Sequence, residues 1–354
     1  MRIELIVFGS ILALIASLSL VFTIPQMQTY TNSSSGSKSS LPVIGKAPDF
    51  VRINNWINAG PLKIGDLKGK VVLVDFWTYS CINCIRTLPY LKDWDQKYSG
   101  KGLVIIGVHT PEFEFEKDAK NVKAAVERYG LKYAVAQDNN KETWKSYKNR
   151  YWPMKYIIDA EGNIRYDHIG EGGYEETETV IQDLLKEANQ NVTEGMTKLA
   201  SDLDTTQLGS PEIYLGYKFA RNPLGNPEGF SSDGVVDYKQ INLSGIKLGN
   251  VVYLSGEWED REDRIIAVKD SKLFLAYKAK KVNIVAGGKS KISVLLDGTQ
   301  LKENYLGDDT RQLQGQVTID QQRLYNIISS EGYETHILGI DADPGFELYT
   351  FTFG

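Results

Sequence analysis

Cys81 and Cys84 are the only two cysteines in a chain of 354 residues, and just Ile82 and Asn83 separate them. At that spacing a dithiol can open and close as a disulfide, or two thiolates can make half of a metal site. Zinc would need two further ligands at suitable spacing. There is no third cysteine, and the three histidines, His109, His168 and His336, are scattered. The pattern points to thiol–disulfide exchange, with no metal and no cofactor beyond a redox-active disulfide. In that chemistry a thiolate attacks a disulfide sulfur, a mixed disulfide forms, and a second thiol resolves it. Cys81 is the expected nucleophile and Cys84, one helical turn on, the expected resolver.

Such a pair needs a rigid support, and the flanking residues supply one. Val71, Val72, Leu73 and Val74 form a β-branched apolar run that reads as a buried strand. After Ser80 and the cysteines, Leu88, Leu91 and Trp94 fall on one side of an amphipathic helix. Cys81 then sits at a strand-to-helix turn, where free N–H groups and the positive dipole end favour an anion. Asp75, between Val74 and Phe76, is expected to be buried, with its carboxyl pushed up by desolvation. There it is a candidate to accept the Cys84 proton; the alternative is a strand-end carboxylate facing solvent. Pro89 should bend the helix or mark a later start. His109 and Glu112 follow a second strand, Leu103 to Val108. They either tune the thiols or are a structural histidine and a surface glutamate. Trp77 reads as packing, while Tyr79 and Asn83 are candidates to shape the substrate surface around Cys81.

The rest of the chain divides by texture. Residues 5–24 run without a charge, about 30 Å as a helix, one hydrocarbon core. No small-x-small site follows, so residues 1–24 read as an uncleaved transmembrane anchor, with Arg2 favouring an inside N-terminus. The remainder is then expected outside the cytoplasm. Residues 25–43 contain TNSSSGSKSS, a flexible tether. Residues 44–190 alternate strands and helices and end in a hairpin around Gly162, an α/β pattern. Residues 191–208 are polar and read as a linker. Residues 209–354 hold short alternating runs, among them Leu273 to Tyr277 and Val282 to Ala286, and read as an all-β sandwich. Net charge is −5 with no long basic run, which gives nucleic-acid binding no support.

The residues VDFWTYSCINC, with Asp75 six before the first cysteine and Pro89 five after the second, resemble the thioredoxin superfamily. GVHTPEFEFEKD, DNNKETWKSYKNRYWPMKYIIDAEGNIRY and IGEGGYEETE resemble the thioredoxin-like domain of the DipZ group, near TlpA. The tail, from RLYNIISSEGY to ELYTFTFG, resembles that group's carbohydrate-binding-module-like domain, so a jelly-roll-like fold is implied. The resemblance covers about residues 44–354. Full DipZ proteins carry a multi-helix CcdA-like membrane domain in front, whereas this chain shows a single apolar segment.

The resemblance implies further roles. Pro153 matches the proline that faces the cysteines and is usually cis, and Trp152 before it would pair through its backbone with an extended substrate. It also favours the proton-accepting role for Asp75. Partners implied are substrate proteins with disulfides and a membrane electron donor, CcdA-like, with the chain acting as a reductant. Three rivals stand beside this. A peroxiredoxin-type thiol peroxidase fits Thr78 but needs proline where Val74 stands. A copper-binding module lacks a methionine or histidine set at the motif. A glycan-binding module would use Trp258, Tyr277, Tyr305, Tyr325 and Tyr333, residues more commonly found as sheet packing.

Overall fold

The computed structural model describes residues 41–199, 204, 206–246 and 248–354. The predicted membrane span, residues 5–24, lies outside the described residues, as does nearly all of the Ser-rich tether. Among the described residues no helix is long and apolar enough to cross a membrane.

The first part follows the alternation read from the sequence. Strands β1 (Gly45–Lys46), β2 (Asn55–Ile57) and β3 (Val71–Trp77) lead into helix α1 (Ile82–Tyr98). Strand β4 (Leu103–His109), helix α2 (Ala119–Tyr129), strand β5 (Ala134–Gln137) and helix α3 (Glu142–Ser146) follow. Strands β6 (Met154–Ile158) and β7 (Asn163–Ile169) and helix α4 (Tyr174–Glu187) complete this part. The strands pair in the order β1-β7-β6-β3-β4-β5-β2, which puts β3 at the centre, parallel to β4 and antiparallel to β6.

Because a central strand is covered on both faces, its run is apolar throughout, and its alternation sorts residues between two layers. Val71, Leu73 and Trp77 join the core under α1, α2 and α4, while Val72, Val74 and Phe76 join the layer that holds Trp144 and Tyr147. Asp75 shares the parity of Leu73 and Trp77, so it faces α1. Pro89 lies inside α1, which runs unbroken for 17 residues.

Past α4, the polar segment from Asn191 to Thr197 is pinned to the helices. Glu178 accepts from the Thr197 amide at 2.6 Å, and Lys97 donates to Gly195 O at 3.0 Å. The second half contains strands β8 (Ile213–Tyr214), β9 (Val235–Tyr238), β10 (Val252–Asp260) and β11 (Ile265–Ala267). It continues with β12 (Ser271–Gly288), β13 (Ser290–Leu296), β14 (Thr299–Gln300), β15 (Gln316–Ile319), β16 (Arg323–Ala342) and β17 (Phe346–Phe353).

The expected sandwich departs from two separate sheets: all ten strands hydrogen-bond into one network. The reason is strand length. β12 and β16 run 18 and 20 residues, with register shifts near Ala279–Lys281 and Val282–Asn283. The first part of β12 pairs with β10 and its last part with β17, so the network folds over one apolar core. Trp258, Tyr277 and Tyr325 are buried in that half rather than displayed on its surface.

Both halves, as far as their residues are described, belong to a single compact unit. Tyr214, Val285 and Tyr349 of the β half sit in the same apolar cluster as Leu88 and Trp94. Phe113 and Phe115, in the loop after β4, meet Tyr349 edge-on at 5.2 and 4.8 Å.

Candidate active site

The centre of the site is the turn from β3 to α1. Cys81 is the N-cap of α1, in extended conformation, and its sulfur accepts from the Cys84 amide at 3.3 Å. That bond satisfies one of the orphan amides at the helix start, and it places the sulfur in the positive end of the helix. Cys81 is partly exposed and Cys84 fully buried; both thiols are free. Burial, together with the hydrogen bond to Cys81, pushes the Cys84 thiol well up. The two sulfurs are thus unequal, one reachable and one sheltered.

Beneath Cys84 lies Asp75. It is 0% exposed, and neither carboxylate oxygen has a hydrogen-bond partner among the described residues. Burial raises its carboxyl to about 7, against an opposing pull from Lys155. A group with that property changes charge in the range where thiols exchange. The solvent-facing alternative for Asp75 does not hold.

On β4 the neighbour of Asp75 is Gly107, where a Cβ would come within 2.9 Å of the Trp77 indole nitrogen and 3.2 Å of the Tyr133 ring. Glycine is required there by close packing, and Trp77 fills the space as the sequence suggested.

Across the site, the Trp152–Pro153 peptide is cis. The Trp152 indole donates to Thr110 O at 3.0 Å and packs on Trp144, and the Lys141 ammonium lies 4.7 Å from its ring centre. Tyr151 and Ile169, 50% and 53% exposed, flank this turn.

Several residues expected around the pair take other positions. Tyr79 was expected to shape the substrate surface; it is buried, 1% exposed, and stacks on His109 at 5.5 Å. The strand's turn carries it into the core, where its ring fills space beside Phe115. Asn83 is partly exposed and accepts from Arg86 at 3.3 Å. His109 is fully buried between Trp77 and Tyr79, and desolvation drives its imidazole down to about 3, so it is neutral at physiological pH. Glu112, expected either to tune the site or to sit at the surface, is half-buried. It accepts from Tyr214 of the β half at 2.8 Å, and desolvation followed by the nearby Glu116 raises it to about 7.

Three contributors escaped the sequence reading. Glu116, fully buried, accepts from the Thr78 and Ser80 hydroxyls at 2.5 Å and from the amides of Glu112 and Phe113. It ties the turn before Cys81 to the loop after β4. Arg86 joins α1 to Glu171 at 3.2 Å and to Phe353 O at 3.0 Å, so the β half reaches the active-site helix. Lys155 is a lysine on the core-facing parity of an apolar strand, and that misplaced charge was a readable signal. Glu116 gave none, because its partners lie 36 and 38 residues away.

Residues 43–167 match the AhpC/TSA family, and residues 210–354 match the family described as thioredoxin like C-terminal domain. Protein DipZ of Mycobacterium tuberculosis is 35% identical over 330 residues, 92% of this chain and 45% of that protein. The chain is similar to DipZ/TlpA-like proteins of the thioredoxin superfamily. It spans about half the length of its DipZ relatives. The thiol-disulfide oxidoreductase ResA of Bacillus anthracis is 29% identical over 182 residues, 51% of this chain and 98% of ResA. Human NHL repeat-containing protein 2 is 41% identical over 128 residues, covering 35% of this chain and 18% of that protein.

Proposed function

We propose that this chain is a thiol–disulfide oxidoreductase that reduces disulfides of substrate proteins through Cys81 and Cys84. The observation that carries this is the unequal pair: a reachable sulfur capping a helix, and a sheltered one above an unpartnered carboxylate. Cys81 attacks the substrate disulfide, its helix-end position favouring the thiolate. Cys84 then gives its proton to Asp75 and closes the Cys81–Cys84 bond, releasing the reduced substrate. The turn at Trp152 and Pro153, with partly exposed Tyr151 and Ile169, forms the face on which an extended substrate segment lies, and Asn83 borders it. Glu112 tunes the site through its tie to Tyr214.

The uncharged run of residues 5–24 supports an anchored protein working outside the cytoplasm. There an oxidising poise would drain the dithiol, and a membrane donor of CcdA-like type would recharge it. The test uses the full chain in detergent, equilibrated with dithiol buffers of graded potential. Reversible two-electron titration of the pair, with reduction of a protein disulfide by the reduced form, is the expected result. Peroxide consumption with no disulfide reduction would instead favour the peroxidase, and glycan binding with an inert cysteine pair would favour a binding module.

A further inference from the structure

Beside the turn that carries Trp152, a cleft of about 630 Å³ opens between the loop after β4 and the β half. Pro111 lines it, next to the Thr110 carbonyl that holds the Trp152 indole, and Lys141 lines it too. The cleft is ionic, and most of its charges cancel where they stand. On the β half, Arg261 pairs with Asp233 at 3.6 Å, Arg264 with Asp263 at 2.7 Å, and Glu262 with Lys218. On the opposite wall Lys117 pairs with Glu114 at 2.6 Å, and Glu112 is taken by the Tyr214 hydroxyl. Lys141 and Lys145 are left over: among the described residues neither ammonium has an ion pair or a hydrogen bond.

Lys141 is also held in place. It is half-buried, and its ammonium lies 4.7 Å from the Trp152 ring centre and 5.8 Å from that of Trp144, so two indoles fix the charge. Its backbone takes φ 57, ψ 32, a left-handed conformation that suits glycine or asparagine, so local geometry gives no reason for a lysine. Burial lowers the ammonium from its usual range, against the pull of Glu112 and Glu116. A carboxylate brought into contact would favour the charged form that burial disfavours.

We propose that Lys141, with Lys145 at the rim, is a specificity residue: it receives the carboxylate of an aspartate or glutamate of the substrate polypeptide, a few residues from the cysteine that Cys81 attacks. The inference rests on the oxidoreductase reading. A substrate segment lying extended on the Trp152–Pro153 turn places alternate side chains on one face, about 7 Å apart along the strand. An acidic residue near the paired position is then within reach of an ammonium that rests on the Trp152 ring. The cation is already fixed and partly stripped of water, so pairing costs less side-chain ordering than between two free surface chains. A basic residue at the same place would meet Lys141 as a like charge.

The test uses the reduced full chain and short peptides with one cysteine, each joined to thiopyridine as a mixed disulfide, so that attack releases the absorbing thiopyridine. Each peptide carries a single glutamate, glutamine or lysine at one of the positions within a few residues on either side of the cysteine. At one or more positions the wild-type protein should react about three- to tenfold faster with glutamate than with glutamine, and slowest with lysine. Lys141→Met should bring the glutamate-to-glutamine ratio to about one, Lys141→Arg should keep it, and Lys141→Glu should turn the preference towards lysine. Each result is a ratio between peptides on one protein, so a change in the thiols that affects all peptides alike divides out. Equal rates with glutamate and glutamine at every position, or a glutamate preference that survives Lys141→Met, overturns the proposal. If Lys141→Met does not fold, Lys141→Gln is judged by the same ratio. A protein that opens none of the peptides sinks the oxidoreductase reading and this proposal with it, whereas exchange without charge preference removes this proposal alone.

Discussion

Each half of the molecule buries an aspartate inside a sheet, and the surroundings treat the two oppositely. Asp260, in the β half, accepts from the Ser231 amide at 2.5 Å and from the Tyr238 hydroxyl at 3.1 Å. Those bonds hold down a carboxyl that burial would otherwise raise further. Asp75 receives no hydrogen bond among the described residues, and it lies between a buried amine and a buried thiol. Residue type and burial are shared; the partners differ. A carboxylate anchored by two donors on one oxygen, as Asp260 is through Oδ2 while its Oδ1 has no partner among the described residues, is scaffold. One left with its lone pairs open beside a thiol can take up a proton and give it back.

The sharpest break of that contrast comes at the sulfurs themselves. Cys81→Ser should remove disulfide reductase activity to background and trap no substrate, whereas Cys84→Ser should accumulate mixed disulfides, seen on non-reducing gels. The reverse pattern would exchange the roles of nucleophile and resolver.

Next in size is the carboxylate. Asp75→Asn should slow resolution about a hundredfold at pH 7, the range expected for losing a general base. The wild-type resolution rate should climb as pH rises through about 7, where Asp75 ionises, and that inflection should vanish in the variant. The same substitution should stabilise the fold. The native carboxyl keeps its proton up to about 7, whereas in the unfolded chain it ionises near its ordinary 3.8. Between those values the native state binds more protons, so wild-type stability falls as pH rises through that window and stays low above it. Asp75→Asn should recover up to about 4 kcal/mol at pH 8, taking ~1.4 kcal/mol for each pKa unit. Denaturant melts at pH 5 and pH 8 check this, and equal stability gains at both would refute it.

Asp260→Asn supplies the other side of the comparison. It should cost about 1–3 kcal/mol, because the Tyr238 and Ser231 donors lose a charged acceptor, and leave exchange rates within about twofold. A large loss of activity there would mean that burial alone, not the set of partners, marks the working group.

How much of this was legible depended on whether the signal was local. The cysteine spacing, the apolar run ahead of it and the lone carboxylate in that run stand within a few residues of each other, and together they carried the site's centre. Lys155 was equally visible as a charge inside the apolar stretch from Met154 to Ile158, but its meaning depends on a partner 80 residues earlier across the sheet. Glu116 and Tyr79 were beyond reach for the same reason: one finds its hydroxyl partners on another loop, and the other is turned inward by a bend no periodicity encodes. In the β half, Lys278, Lys280 and Lys281 interrupt the apolar pattern, so one bulged strand reads as two. The polar stretch Ser329 to His336 hides most of the 20-residue strand β16.

The smallest effect concerns the seam between the halves, where Tyr214 donates to Glu112. Tyr214→Phe keeps the ring in the shared apolar cluster and removes only the hydroxyl. Glu112 is half-buried and lies near Glu116, so without that donor its charged form loses one of its stabilising contacts. The expected cost is about 1 kcal/mol, the net worth of a typical hydrogen bond. Because Glu112 is already raised to about 7, it can protonate to relieve the loss, so the cost should be larger at pH 8 than at pH 6. Denaturant midpoints at the two pH values measure it. A cost independent of pH would mean that Glu112 stays protonated across that range and that the hydroxyl serves packing rather than charge.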